Sequence, residues 1–257
     1  MQALPVPKTA TLIDRLNKLA LPSLYYAQLD QISDRTREMR QIRAEIEQLF
    51  KVDAAAAWET LGAWYALAGD AKCMTEAFKN SFRLGGTETA HINFMVNTFN
   101  VGMFSATHDA CVDFDKASGD GSNHFAPACT IALCCGALTL SERFAHKASA
   151  MKKDLDAKVL NDLAGAVELL RAAGVSDADV ARQLDVAGTV LRRHHMRPRV
   201  NPRVTDAAGF FRGVTYAVHV PVSSAEAFEM NMELASAEED AGIQRNVAFD
   251  VVFETAQ

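Results

Sequence analysis

Three glycines, Gly69, Gly102 and Gly136, stand 33 and 34 residues apart, each between two stretches of helical character. One helical hairpin cannot bury its apolar face alone. Hairpins recurring at a fixed interval of that size therefore stack into an array. The spacing predicts helix pairs over 54–68 and 71–84, over 87–101 and 103–116, and over 125–135 and 137–152. Gly85 and Gly86 end the first pair, and Gly119 to Ser122 form a loop after the second. The stretches between these joints are rich in Ala and Leu, which favours helix. A hydrophobic share of 49% is enough for a sizeable core.

The flanks read differently. Residues 11–21 carry Leu12, Ile13, Leu16, Leu19 and Ala20 at helical spacing before Pro22 and Ser23 interrupt. Residues 24–50 read as one long helix or two, with Ser33 as an internal cap and Met39, Ile42, Ile46 and Leu49 as an apolar stripe. Behind the array, 157–173 and 176–196 read as a fourth hairpin about Gly174, with Ser176 and Asp179 as a helix-start box. Pro198 and Pro202 then stop helix. Over 213–222, Val214, Tyr216, Val218 and Val220 alternate with Thr215, Ala217 and His219. Ser223 with Glu226 opens a helix that Gly242 ends, and Val247, Phe249, Val251 and Phe253 alternate again.

The expected fold class is therefore mainly α with a small α+β tail. An antiparallel helical-hairpin array over 1–202 precedes a β-α-β element over 203–257. Two strands are too few to be stable alone. Their partner is a strand near Phe210 and Phe211, the helical part, or the same tail in a second chain, and a homodimer through the C-terminal strands is the expectation.

The run Trp58-Glu59-Thr60-Leu61-Gly62-Ala63-Trp64-Tyr65 resembles the opening pattern of a tetratricopeptide repeat, Trp, two residues, Leu-Gly, two residues, Tyr. On the second helix the family wants a small residue, an aromatic and a small residue, and Met74, Phe78 and Ser81 stand there. Met74 is larger than the usual Ala, and Gly86 replaces the usual Pro. The second unit is degenerate, with Phe94, Met95 and Thr98, then Thr107, Cys111 and Phe114. The third has Ser141, Ala145 and Ala148. The resemblance covers roughly 54–152. It implies an inner surface lined by the first helix of each hairpin and a partner that is a protein or peptide.

Within that surface Asn93, Asn97 and Asn100 fall on one helical face, and a side-chain amide can both donate to and accept from an extended peptide backbone. Asn93 occupies a place where peptide-binding members of the family carry Asn. Glu59 and Thr60 are expected beside it on the preceding repeat. The bland reading of the trio is a solvated polar face.

No catalytic residues are assigned. There is no phosphate-binding glycine loop, no paired-histidine hydrolase pattern and no Gly-x-Ser-x-Gly elbow. No metal and no cofactor is expected. The histidines are scattered, and Cys134 and Cys135 read as core packing. The chain is thus read as a non-catalytic adaptor, regulator or neutralising partner of another protein. The alternative is a DNA-binding regulator using a helix-turn-helix-like hairpin over 176–203, followed by Arg192, Arg193, Arg197, Arg199 and Arg203. Against it, Asp185 occupies the usual turn Gly, and Asp177 and Asp179 add negative charge.

A formal charge of −6 argues against nucleic-acid binding by the chain as a whole. No apolar run is long enough to span a membrane, the start does not read as a secretory signal, and five cysteines fit reduced thiols in a cytoplasm.

Overall fold

In a computed structural model, which describes residues 8–20, 23–27, 34–153, 155–207 and 211–256, helices come first and a small sheet last. The helices are α1 (Lys8–Ala20), α2 (Asp34–Leu49), α3 (Ala54–Leu67), α4 (Ala71–Arg83), α5 (Glu88–Asn100), α6 (Phe104–Ala117), α7 (Phe125–Cys134), α8 (Leu138–Ala150), α9 (Ala157–Ala172) and α10 (Asp177–Arg193). Strands β1 (Val200–Ala207) and β2 (Phe211–Val220), helix α11 (Ser224–Asp240) and strand β3 (Phe249–Thr255) complete the chain. Pro22, Ser33 and Phe210, which the sequence singles out, lie outside the described residues.

The expected pairs α3/α4, α5/α6 and α7/α8 each pack together about their glycine. Gly69, Gly102 and Gly136 hold φ of 78°, 68° and 82°, the left-handed conformation that ends a helix tightly and that glycine adopts without a Cβ penalty. The register of the repeat is visible in the core. Met74, Thr107 and Ser141 are equivalent by spacing, as are Phe78, Cys111 and Ala145, and Ser81, Phe114 and Ala148. None of these nine is more than 7% exposed. A Cβ at Gly62 would meet the Phe78 ring at 2.6 Å, so the small residue sets how closely α3 and α4 approach. Trp58 is half-buried, and its ring stands edge-on to Phe50, at the end of the preceding unit, with centroids 5.0 Å apart. The array reaches further forward than its motif: α1 and α2 pack on α3 as α3 and α4 pack on α5.

Two sequence expectations give way here. Residues 23–27 are not helical. Tyr25 bridges Met196, Tyr26 N–H donates to His195 O (2.9 Å), and Ala27 N–H donates to Leu67 O (2.9 Å). This segment is tied to the chain on both sides, which removes the backbone bonds a helix would need. The fourth hairpin over 157–196 also opens out. Helix α9 lies on α8 and on β1 and β2, while α10 lies on α6, α11 and β3.

Helix α10 runs across the hairpin turns. Val180 sits against Gly136, and Gly188 against Gly102. Beyond the end of α10, Tyr26 covers Gly69. The N-cap residues of α6 and α8, Met103 and Ala137, form no side-chain cap. Their caps come from α10: Ser105 N–H donates to Asp185 Oδ1 (3.1 Å) and Thr139 N–H to Asp177 Oδ2 (2.9 Å). Both bonds satisfy the second amide of the helix they cap, a group with no partner inside its own helix. Asp185→Ala is expected to lower the unfolding free energy by about 1 kcal/mol in urea titration, and Asp185→Asn by less, because an amide oxygen still accepts. An unchanged midpoint for Asp185→Ala would remove the capping role.

The sheet has the order β1-β2-β3, with β1 antiparallel to β2 (Val204 opposite Val214) and β2 parallel to β3 (Tyr216 opposite Val251). The missing strand is thus β1, supplied within the chain, and it begins ahead of residue 202. The expected inward positions Val214, Tyr216, Val218 and Val220 are buried, as are Phe249, Val251 and Phe253, but Ala217, expected on the other face, is buried as well. Val247, expected in the last strand, is exposed and precedes β3. The Tyr216 hydroxyl donates to Leu133 O (2.8 Å) at the end of α7. One continuous apolar core extends from Ile92 in α5 to Phe253 in β3.

Both sheet edges are blunted. Arg199 accepts from His219 N–H across from it, so bonded pairs fall at odd β1 positions and the nitrogen of Pro202 faces the free edge. On β3, the Asn231 side chain takes the place of a neighbouring strand, donating to Phe253 O (2.9 Å) and accepting from Phe253 N–H (2.9 Å).

Candidate functional site

Helices α1 and α5 stand on either side of α3, and a groove follows α3 between them. At the N-terminal end of α3 the groove widens into a cavity of about 550 Å³. Ala10, Ile13, Asp14 and Asn17 of α1 form one wall. Asp53, Ala56 and Glu59 form the floor, and Thr87, Thr89 and Asn93 form the other wall. At the C-terminal end of α3 a separate recess of only about 20 Å³ is bordered by Ala63, Ala66, Asn97, Asn100 and Arg197. Asn17 borders both the cavity and the recess.

Four of the five residues singled out by sequence come together here. The Asn93 side chain donates from Nδ2 to Glu59 Oε1 at 2.6 Å, across the 34 residues that separate adjacent units. Asn97 donates from Nδ2 to Asn93 O at 2.6 Å, one helical turn back. The main-chain oxygen of Asn100 accepts from the Tyr26 hydroxyl at 3.5 Å. Thr60 is a correction. It is fully buried, and its hydroxyl donates to Ala56 O (2.8 Å) on its own helix, so it faces the core rather than the groove. A hydroxyl at a buried helical position is satisfied most simply by the carbonyl one turn earlier.

Glu59 is only 6% exposed. Burial pushes its carboxyl above the usual carboxylate range, the Asn93 hydrogen bond pulls it back, and the charge of Asp53 raises it further. Asp53 is itself the cap of α3, accepting from Ala56 N–H at 3.0 Å.

Sequence reasoning missed the α1 wall, because it treated 11–21 as lying ahead of the repeats. The signal was present: Asp14 and Asn17 are three apart, on a different face from the buried Leu12 and Leu16.

The arginines of the DNA alternative are placed otherwise than that reading requires. Helix α10 is continuous through Asp185, so there is no turn, and Val180, Leu184, Ala187 and Leu191 are buried in the core. Arg192 donates to Val101 O (3.2 Å) and Gly102 O (2.6 Å), closing the C-terminal end of α5. Arg193 pairs with Glu233 (2.8 Å). Arg197, itself buried, donates to Ala20 O and Ser23 O at the end of α1. Arg199 is exposed. Carbonyls at helix ends draw cations by their unsatisfied lone pairs and the helix dipole, which is the local use of Arg192 and Arg197, while Arg193 is held by an ordinary ion pair.

Among the described residues, no group of three or more His, Cys, Asp and Glu side chains is placed to hold a metal ion, and no helix is long and apolar enough to cross a membrane. Comparison with family models, with curated proteins and with solved structures finds no match to the chain.

Proposed function

We propose that the chain is a non-catalytic scaffold of tetratricopeptide-like hairpins that holds an extended segment of another protein along α3. The observation that carries this reading is the cavity of about 550 Å³ at the N-terminal end of α3, which Asn17 of α1 and Asn93 of α5 border from its two walls. Amides on both walls suit a guest whose backbone alternates donors and acceptors. The role is that of an adaptor, a regulator or a neutralising partner. The C-terminal sheet closes the array.

The test uses Asn17, which is exposed and borders both the cavity and the recess. Affinity capture from host extract, read by mass spectrometry, is expected to recover a defined protein on the wild-type chain. Asn17→Trp fills the groove without touching the core and is expected to reduce that recovery about tenfold or more at unchanged Tm. Equal recovery on both would sink the reading.

A further inference from the structure

We propose that the segment bound along α3 presents a lysine or arginine side chain to the cavity, and that Glu59 is the receptor for its charge. The proposal rests on the groove being the docking site. It starts from an imbalance at one carboxylate. Glu59 is more than nine-tenths buried and opens onto the cavity. Buried carboxylates are ordinarily matched by a cation, because burial removes the water that would otherwise solvate the charge. Here the side-chain partner is the neutral amide of Asn93. Among the described residues no Lys, Arg or His forms an ion pair with Glu59, although Arg15 and Arg43, on the neighbouring helices, pair with Glu38, Glu45 and Glu47.

The surroundings point the same way. Asp14 and Asp53 border the cavity with Glu59, and among the described residues neither lysine nor arginine does. Carboxylates of one sign in a recess with low-dielectric walls focus their field on its interior. Ala10, Ile13 and Ala56 offer an apolar surface for the methylene stem of a long basic side chain, whose head then reaches Glu59. The Asn93 amide, already on one oxygen of Glu59, fixes the carboxylate for the incoming donor. A guest ammonium or guanidinium would supply the countercharge that none of the described residues supplies.

The experiment pans a displayed library of random heptapeptides on the full-length chain and measures the enriched peptides, made synthetically, against wild type and Glu59→Gln. Enriched sequences are expected to share Lys or Arg at one register and to bind Glu59→Gln about thirtyfold more weakly. Replacing that basic residue by norleucine should cost the wild-type chain a similar factor and cost Glu59→Gln nothing further. This second arm uses the unaltered protein, so it stands whether or not the variant folds well. Enriched peptides without a basic residue, or with equal affinity for Glu59→Gln, would overturn the charge assignment while binding still lost in Asn17→Trp kept the groove. No enrichment, or binding indifferent to both variants, would overturn the groove as well.

Discussion

Gly188→Ala is expected to lower the unfolding free energy by at least about 3 kcal/mol. An added Cβ would stand 2.0 Å from Gly102 O and 2.9 Å from Gly102 C. The obstruction is backbone on both sides, so no change of rotamer relieves it. Helix α10 would have to lift away from the α5–α6 turn. That movement would stretch the Arg192 bond to Gly102 O and the Asp185 cap on Ser105 N–H. The sign is informative in itself. In a helix interior free of neighbours, Ala is better than Gly by about 1 kcal/mol. Thermal unfolding followed by far-ultraviolet circular dichroism should show Tm falling by roughly 6–12 °C. A Tm that stays or rises would mean that the two backbone segments do not approach so closely.

Gly136→Ala is expected to cost about 3 kcal/mol through two separable causes. The residue holds φ of 82°, where a side chain costs about 1 kcal/mol, and its Cβ would lie 2.3 Å from Val180 Cγ1. Gly174 provides the control. Its φ is 69°, but nothing lies within 4 Å of a Cβ there. Gly174→Ala should therefore lose only about 1 kcal/mol, the backbone part alone. Urea titration of the two variants side by side separates the causes, and equal losses would show that α10 does not press on the α7–α8 turn.

The hairpins were legible because their determinants are local. A left-handed turn demands Gly69, Gly102 or Gly136 within its own few residues, and Gly62 answers to Phe78 only sixteen positions away. The large apolar positions over 214–220 were legible for the same reason, since a strand sets its side chains in a period of two, although the small Ala217 on the other face is buried too. Helix α10 was misread because the reasons for its residues lie far off. Asp177 and Asp185 are acids in an apolar helix when viewed alone, and they make sense only once Thr139 and Ser105 are set against them. Arg192 and Arg197 likewise resembled a cationic surface until the ends of α5 and α1 came to meet them. At the groove, the contact of Asn93 with Glu59 followed from the repeat spacing, whereas Asn17 depended on where α1 docks, which no nearby residue announces.

The path of α10 has a consequence for how such a protein can change over time. Val180 and Gly188 meet the turns of consecutive hairpins, as Asp177 and Asp185 cap their second helices, α8 and α6, and each pair is eight residues apart, a rise of about 12 Å. Solenoids usually gain or shed whole modules freely, since every module sees only its neighbours. The helical hairpins here have a built-in gauge. A duplicated hairpin would find no mate along α10 unless that helix lengthened by the same increment, so the copy number of the modules is locked to the length of a helix that belongs to none of them.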